Sequence, residues 1–119
     1  MKILVVDDEP VVRELTIEIL RRNGYRPEGV ESARRALERL EEECFDLLVS
    51  DVVMPEMTGV ELLDELRARS HDLPVLLMTG GSPEPERTIR AVQLGATSLV
   101  YKPFTHDELA EAVATALKT

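Results

Sequence analysis

The chain has 119 residues, of which 44% are apolar, and a formal net charge of −9. This length suits one domain with its own core, and the single cysteine excludes an internal disulfide. No apolar stretch resembles a signal peptide or a membrane span, and the excess of carboxylates would repel a nucleic-acid backbone. We therefore expect one cytoplasmic domain over residues 1–119, without membrane attachment or direct nucleic-acid binding.

A short apolar run and a helical pattern open the chain. Residues 3–6 are continuously apolar and mostly β-branched, as in a strand that is covered on both faces. The helix after it is predicted to begin near Pro10 and to end at Asn23-Gly24, where glycine permits a left-handed stop. Ile17 should face outward, because the predicted buried stripe consists of Val12, Leu15 and Ile19.

The second strand and helix differ in character from the first. The segment 26–30 contains a proline and a glycine, which favours a strand at the edge of a sheet. Ser32 is the predicted cap of a helix that ends near Glu43. Cys44, which lies between this helix and the third strand, is expected to be a small buried apolar group. The inward stripe of the helix is predicted to be Ala33, Ala36, Leu37 and Leu40.

Three more strands alternate with helical patterns in the second half. The third helix is expected to bury a stripe of leucines, and the fourth helix is expected to end at Gly95. Thr105 and Glu108 have the spacing of a capping box and predict the start of the fifth helix. The predicted strands are residues 46–50, 74–78 and 98–101.

Five strand–helix units in regular alternation predict an α/β fold. A doubly wound, five-stranded parallel sheet with helices on both faces satisfies this pattern. Of the common strand orders, the flavodoxin-like order 2-1-3-4-5 suits five strands, and its ligand crevice opens at the carboxyl ends of strands one and three.

Polar residues follow four of the five predicted strands. Because parallel strands end at the same edge, these side chains should meet there. Each also has an ordinary structural interpretation: from its own segment alone, Asp8 is better explained as a helix cap. The coincidence of complementary groups at four strand ends favours a shared site. The residues are Asp7 and Asp8 after the first strand, Asp51 after the third, Thr79 after the fourth and Lys102 after the fifth.

Crowded carboxylates require a cation. Two of them at about 4 Å repel by about 4 kcal/mol at an effective dielectric near 20. Hard oxygen ligands of this kind suit Mg²⁺. With part of the charge neutralised, Asp51 is the candidate nucleophile toward a phosphoryl group. Thr79 and Lys102 would contact the phosphoryl oxygens, so these three are the predicted catalytic residues.

Over nearly its whole length the chain resembles the receiver domains of response regulators in two-component signalling. The resemblance rests on the segments VVDDEP, SDVVMPEMTGVELL, MTG and YKPF. It implies that Asp51 accepts a phosphoryl group from a phosphohistidine of a sensor kinase or phosphotransfer protein, or from a small phosphodonor. It also implies that Asp8, Asp51 and the Val53 carbonyl bind Mg²⁺ directly, that Asp7 helps through water, and that the Lys102-Pro103 bond is cis.

The resemblance further implies a switch that a downstream protein reads. Phosphorylation would draw Thr79 inward and repack the face made by the fourth helix, the fifth strand and the fifth helix, through an aromatic residue three positions before the lysine. Here that position is Leu99. Tyr101 lies two residues after Leu99 and so points to the same face of the strand. The ordinary interpretation is that this tyrosine only packs there, and the alternative is that it takes over part of the switch. Gly80 leaves room for the incoming group.

Other functions fit the residues less well. A haloacid-dehalogenase-type phosphatase places its nucleophile after the first strand in a D-x-D arrangement, whereas Asp7 and Asp8 are adjacent. A flavin binder needs a hydroxyl- and glycine-rich phosphate loop after the first strand, whereas the segment DDEP would repel a phosphate. A receiver that only docks, without phosphorylation, is disfavoured because no catalytic residue is missing. The expected protein is therefore a signalling phosphoacceptor that acts only on itself, either a stand-alone regulator or the receiver part of a longer protein.

Overall fold

The structure, a computed structural model, describes residues 1–69, 71–80 and 98–118. The fourth predicted helix, including its expected end at Gly95, lies outside these residues. The described strands are β1 (Lys2–Val6), β2 (Arg26–Val30), β3 (Leu47–Asp51), β4 (Val75–Gly80) and β5 (Ser98–Lys102). The described helices are α1 (Pro10–Arg22), α2 (Ala33–Glu42), α3 (Gly59–Ala68) and a last helix (His106–Leu117).

The five strands form one parallel sheet in the order β2-β1-β3-β4-β5. The predicted doubly wound, flavodoxin-like α/β fold is therefore confirmed. β2 pairs with β1 alone among the described strands, so it lies at the edge, as its proline and glycine indicated.

Two buried clusters cover the two faces of the sheet. On one face, strand residues such as Leu48 and Leu77 pack against α2 and α3. On the other face, their neighbours Val49 and Met78 pack against α1 and the last helix. Both faces are covered, which explains why the strands are nearly continuous apolar runs. The carboxyl ends of the strands are therefore held in place by a core on either side.

The helix ends follow the sequence signals. The hydroxyl of Ser32 accepts a hydrogen bond from the Arg35 amide at 3.1 Å, and Thr105 and Glu108 form the expected capping box. Gly24 has a φ of 86°, the left-handed geometry expected after α1. None of the helices in the described part of the chain combines the length and the apolar composition that a membrane crossing needs.

In α1, Ile19 is buried as predicted, but the predictions for Leu15 and Ile17 are wrong because the helix is rotated about its axis. Leu15 is 50% exposed, whereas Ile17 is only 8% exposed and Thr16 is fully buried. The buried Thr16 hydroxyl donates a hydrogen bond to the Val12 carbonyl at 2.8 Å, so it needs no partner outside its own helix. Because a threonine that supplies its own hydrogen bond can face the sheet, the buried side of the helix lies one position away from the stripe that the apolar residues suggested.

Cys44 is exposed, so its predicted burial is also wrong. The next residue, Phe45, takes the buried position instead, with 8% exposure. The ammonium of Lys2 and the guanidinium of Arg39 lie 5.5 and 5.8 Å from the centre of its ring. A large aromatic side chain removes more apolar surface from water than a thiol does, which explains the exchange.

The roll of α1 predicts opposite outcomes for two similar substitutions. Ile17→Ala should lower the free energy of unfolding by about 2 to 4 kcal/mol, because it leaves a cavity in the core. Leu15→Ala should cost less than about 1 kcal/mol, because half of that side chain is already in water. Urea unfolding of both variants measures the difference, and equal costs would contradict the observed orientation.

Candidate functional site

The polar residues singled out in the sequence lie at the carboxyl edge of the sheet. Asp7 and Asp8 directly follow β1. Asp51, Gly80 and Lys102 are the last residues of β3, β4 and β5, so these strands run one or two residues further than predicted. The site is therefore built partly on strand backbone, which the sheet holds more firmly than a loop would.

Three carboxylates and one ammonium group converge at this edge. Asp7, Asp8 and Asp51 each offer an oxygen, and these oxygens lie within 4.8 Å of one another. Lys102 Nζ lies 3.2 Å from Asp7 Oδ2 and 3.2 Å from Asp51 Oδ2. Asp7 and Asp51 are buried and Asp8 is half-buried. One ammonium against three carboxylates leaves an excess of negative charge.

Asp7 is fixed from several directions. Its amide donates to the Val30 carbonyl at 3.2 Å, and its Oδ1 accepts the Glu9 amide at 2.9 Å. Glu9 is the N-cap residue of α1 and its side chain makes no capping hydrogen bond. The helix cap that was the simpler interpretation of Asp8 is thus not formed, and the carboxylate of Asp7 holds the start of the helix.

The loop after β3 is packed tightly beneath Asp51. A Cβ placed on Gly59 would lie only 2.3 Å from the Asp51 carbonyl oxygen. The Gly59 amide donates to the Val52 carbonyl at 2.9 Å. Glycine is needed at residue 59 because the backbone of β3 passes where any side chain would begin.

Burial and neighbouring charge set the protonation of the site. Burial raises the pKa of the Asp51 carboxyl; the Lys102 ammonium opposes this shift and the Asp7 carboxylate adds to it. Burial alone would lower the pKa of Lys102, but the attraction of Asp51 and Asp7 outweighs it and the pKa is raised. Lys102 therefore remains an ammonium, and the ionised form of Asp51 is disfavoured in the metal-free protein.

The donor set suits Mg²⁺. Carboxylate oxygens are the ligands that this ion prefers, at about 2.0 to 2.1 Å. Two ligands on opposite sides of one Mg²⁺ are thus at most about 4.2 Å apart, somewhat less than the 4.8 Å that bounds the three oxygens here. Two carboxylates can bind directly after a small contraction, and the third can contribute through a water molecule.

The remaining predicted residues lie in β4 and β5 or shortly after β3 and β5. Thr79 is half-buried in β4 and pairs in register with Tyr101 of β5, which is 51% exposed. Leu99, two residues earlier, packs against the core cluster of α2 and α3. The Val53 side chain is 58% exposed at the rim. The bond between Lys102 and Pro103 is cis, as the resemblance implied.

Sequence reasoning missed two contributors to this geometry. Arg13 donates from Nη1 to the main-chain carbonyl of Asp7 at 2.8 Å. The close approach of Gly59 to Asp51 was also not anticipated. The glycine after MPEMT was a visible signal for a tight contact. No local pattern marks Arg13, because its target lies on another element.

Comparisons with known proteins agree with this geometry. Residues 3–114 match the family model described as the response regulator receiver domain. The chain is 38% identical over 109 residues to response regulator MprA of Mycolicibacterium vanbaalenii, covering 92% of this chain and 47% of that protein. It thus spans about half the length of that relative.

Solved structures show the same similarity. The crystal structure of FixJ-N has a TM-score of 0.91 and 32% identity, with 98% of this chain and 93% of that chain covered. Chemotaxis protein CheY4 of Vibrio cholerae has a TM-score of 0.89 and 32% identity, with 97% of each chain covered.

Two glycines near the site predict different tolerances to substitution. Gly59→Ala should lower the free energy of unfolding by about 2 to 3 kcal/mol, because its Cβ would collide with strand backbone that cannot move aside. Gly80→Ala is the matched control: its Cβ would meet Lys102 Cβ and Cδ at an ordinary 3.7 Å, so its cost should stay within about 0.5 kcal/mol. Thermal unfolding of both variants tests this, and a neutral Gly59→Ala would refute the packing argument.

Removing the charge of Asp51 should stabilise the metal-free protein. The pKa of this carboxyl is raised in the folded state, so at neutral pH its ionised form counts against folding, and the penalty disappears below the pKa of the unfolded chain. Asp51→Asn should therefore raise Tm in magnesium-free buffer by a few degrees, the shift that about 1 kcal/mol produces in a domain of this size.

Added Mg²⁺ should reverse that order by raising Tm of the wild type more than Tm of the variant. Calorimetric scans with chelator and with Mg²⁺ provide the comparison. A variant that is less stable than the wild type in chelator would contradict the charge argument.

Proposed function

Because the chain belongs to the response regulator receiver domain family, we propose that Asp51 is its phosphoacceptor and that Thr79 and Lys102 assist the transfer. The observation that carries the proposal is the position of Asp51 beside Lys102 and two further carboxylates at the carboxyl edge of the sheet. A nucleophile, a fixed positive charge and a metal-binding donor set are the components that phosphoryl transfer requires.

The transfer follows from the contacts of Asp51. One of its carboxylate oxygens forms a bond to phosphorus while the bond from phosphorus to the donor nitrogen breaks, and the electron pair leaves with the imidazole. Lys102 already lies 3.2 Å from that carboxylate, so its ammonium is in place for the oxygens of the arriving group. The Thr79 hydroxyl, at the end of the neighbouring strand, donates to another phosphoryl oxygen.

Mg²⁺ is the proposed cofactor, held by Asp8, Asp51 and the Val53 carbonyl, with Asp7 acting through water. The ion supplies charge neutralisation at the acidic cluster and orients the phosphoryl oxygens. The hydrogen bonds that Asp7 already makes to the Glu9 amide and Lys102 support its indirect role, because they occupy its carboxylate. Asp8 has no such partner among the described residues and is available as a direct ligand.

Tyr101 is the proposed relay from the phosphoryl group to the surface. It pairs in register with Thr79, whereas Leu99 pairs with Leu77 and packs into the core. An inward movement of Thr79 would therefore displace Tyr101 first. Tyr101 is exposed and lines a groove together with the last helix. The NMR signals of the Tyr101 ring should shift on phosphorylation, and unchanged signals would remove this residue from the switch.

The proposed partners follow from the role. A sensor histidine kinase or a histidine phosphotransfer protein supplies the phosphoryl group, and a downstream protein reads the altered surface. The domain, residues 1–119, acts in the cytoplasm as a phosphoacceptor that modifies only itself. Its net charge of −9 supports the absence of direct nucleic-acid contact by this domain.

Intact mass measurement tests the proposal. Incubation with acetyl phosphate and Mg²⁺ should add the mass of one phosphoryl group to the wild type, and the product should be labile at alkaline pH, as an acyl phosphate is. Asp51→Asn should gain no mass, since the amide is not a nucleophile, and omission of Mg²⁺ should slow the reaction severely.

Asp46→Asn serves as the control for carboxylate loss, because Asp46 directly precedes β3, away from its carboxyl end, and accepts a hydrogen bond from the Lys2 amide at 2.8 Å. This variant should be phosphorylated like the wild type. A phosphoryl group found on Asp51→Asn at the wild-type rate would refute the assignment.

A further inference from the structure

Arg13 brings a positive charge to the acidic loop without pairing with a carboxylate. Its Nη1 donates to the main-chain carbonyl of Asp7 at 2.8 Å, and no ion pair joins it to an acidic side chain among the residues that the structure describes. Two arginines later on the same helix behave differently: Arg21 and Arg22 both pair with Glu18 on the surface. The guanidinium of Arg13 is thus directed at the backbone.

Strand β2 fixes the path of this side chain. A Cβ on Gly29 would lie 3.3 Å from both Cγ and Cδ of Arg13 and 2.6 Å from Cδ1 of Ile17. The aliphatic part of Arg13 therefore lies directly on the backbone of β2, and it is half-buried there. A guanidinium held along such a path loses less freedom when it binds the carbonyl than an exposed arginine would.

The carbonyl that Arg13 binds is connected rigidly to Asp8. The carbonyl of Asp7 and the amide of Asp8 belong to one planar peptide unit. The Asp7 side chain has its own hydrogen bonds, to the Glu9 amide and to Lys102. The Asp8 carboxylate has none within the described ranges, so its direction depends on the backbone from which it projects.

We propose that Arg13 is a positioning residue: by holding the Asp7–Asp8 peptide it sets the place of the Asp8 carboxylate relative to Asp7 and Asp51. The inference rests on the proposed function, since it concerns the proposed Mg²⁺ ligands. The inference also predicts the direction in which the Mg²⁺ affinity changes when Arg13 is replaced. Removal of the positive charge of Arg13 would by itself relieve Coulomb repulsion and strengthen the binding of a cation. Loss of positioning would instead weaken the binding of the cation.

Titration calorimetry with MgCl₂ distinguishes the two effects. Arg13→Met keeps an aliphatic stem on Gly29 but loses the donor, and its Kd for Mg²⁺ should rise about tenfold, the lower end of what outer-shell partners of metal ligands contribute. Arg22→Met removes a positive charge from the same helix and should bind Mg²⁺ like the wild type. An unchanged or tighter Kd for Arg13→Met would overturn the proposal.

A second measurement needs no metal. In the metal-free protein, ¹⁵N relaxation should show a lower order parameter for the Asp8 amide in Arg13→Met than in the wild type. Equal order parameters in the two proteins would overturn the proposal. Failure of the wild type to bind Mg²⁺ would by itself refute only the proposed function, and the order parameters would still test the role of Arg13.

Arg13→Lys keeps the charge and a donor nitrogen but loses the planar guanidinium, so its Kd for Mg²⁺ should lie between those of the wild type and Arg13→Met. It also decides the matter if Arg13→Met does not fold. A weaker Mg²⁺ affinity than that of the wild type would support positioning, and the wild-type affinity would overturn it.

Discussion

Three carboxylates share the carboxyl edge of this sheet with one ammonium group. Their oxygens lie within 4.8 Å of one another, and Lys102 touches two of the three. At that spacing the repulsion of each carboxylate pair is several kcal/mol at an effective dielectric near 20. The buried clusters on both faces of the sheet fix the strand ends. Their packing offsets the repulsion, because the carboxylates cannot separate without disturbing the sheet.

The surroundings of each carboxylate differ in a way that suits different roles. Asp7 is held by backbone and by Lys102, and Asp51 ends a fully buried strand above the close contact with Gly59. Asp8 is half-buried and lacks a partner in the described part of the chain. In the proposed function these become the indirect ligand, the nucleophile and the most available direct ligand.

The fold and most of the site could be predicted because their signals are local. Continuous apolar strands, a proline and glycine in β2 and the capping residues each act within a few positions of the chain. The candidate residues could be predicted to meet because parallel strands end at one edge. The β4 strand extends to Gly80 rather than Met78, a difference of the usual size for element ends.

The errors concern side chains whose environment is set by other elements. The predicted buried stripe of α1 contained apolar residues only, but Thr16 donates its hydroxyl hydrogen bond within α1 and is buried, with Ile17 inward and Leu15 outward. Arg13 was not predicted because the carbonyl that it binds, in the loop after β1, and the glycine that it covers, in β2, both lie outside α1. A single sequence gives no direct signal of such contacts between elements.

The crowding of carboxylates at this edge leads us to expect that it binds a divalent cation. Titration of ¹⁵N-labelled protein with MgCl₂, followed by NMR, tests it most directly. Binding at this edge should give saturable shifts that are largest for the amides of Asp8, Asp51 and Val53, with little change at the opposite end of the sheet. Unshifted signals at these residues, or equal shifts across the whole surface, would contradict it.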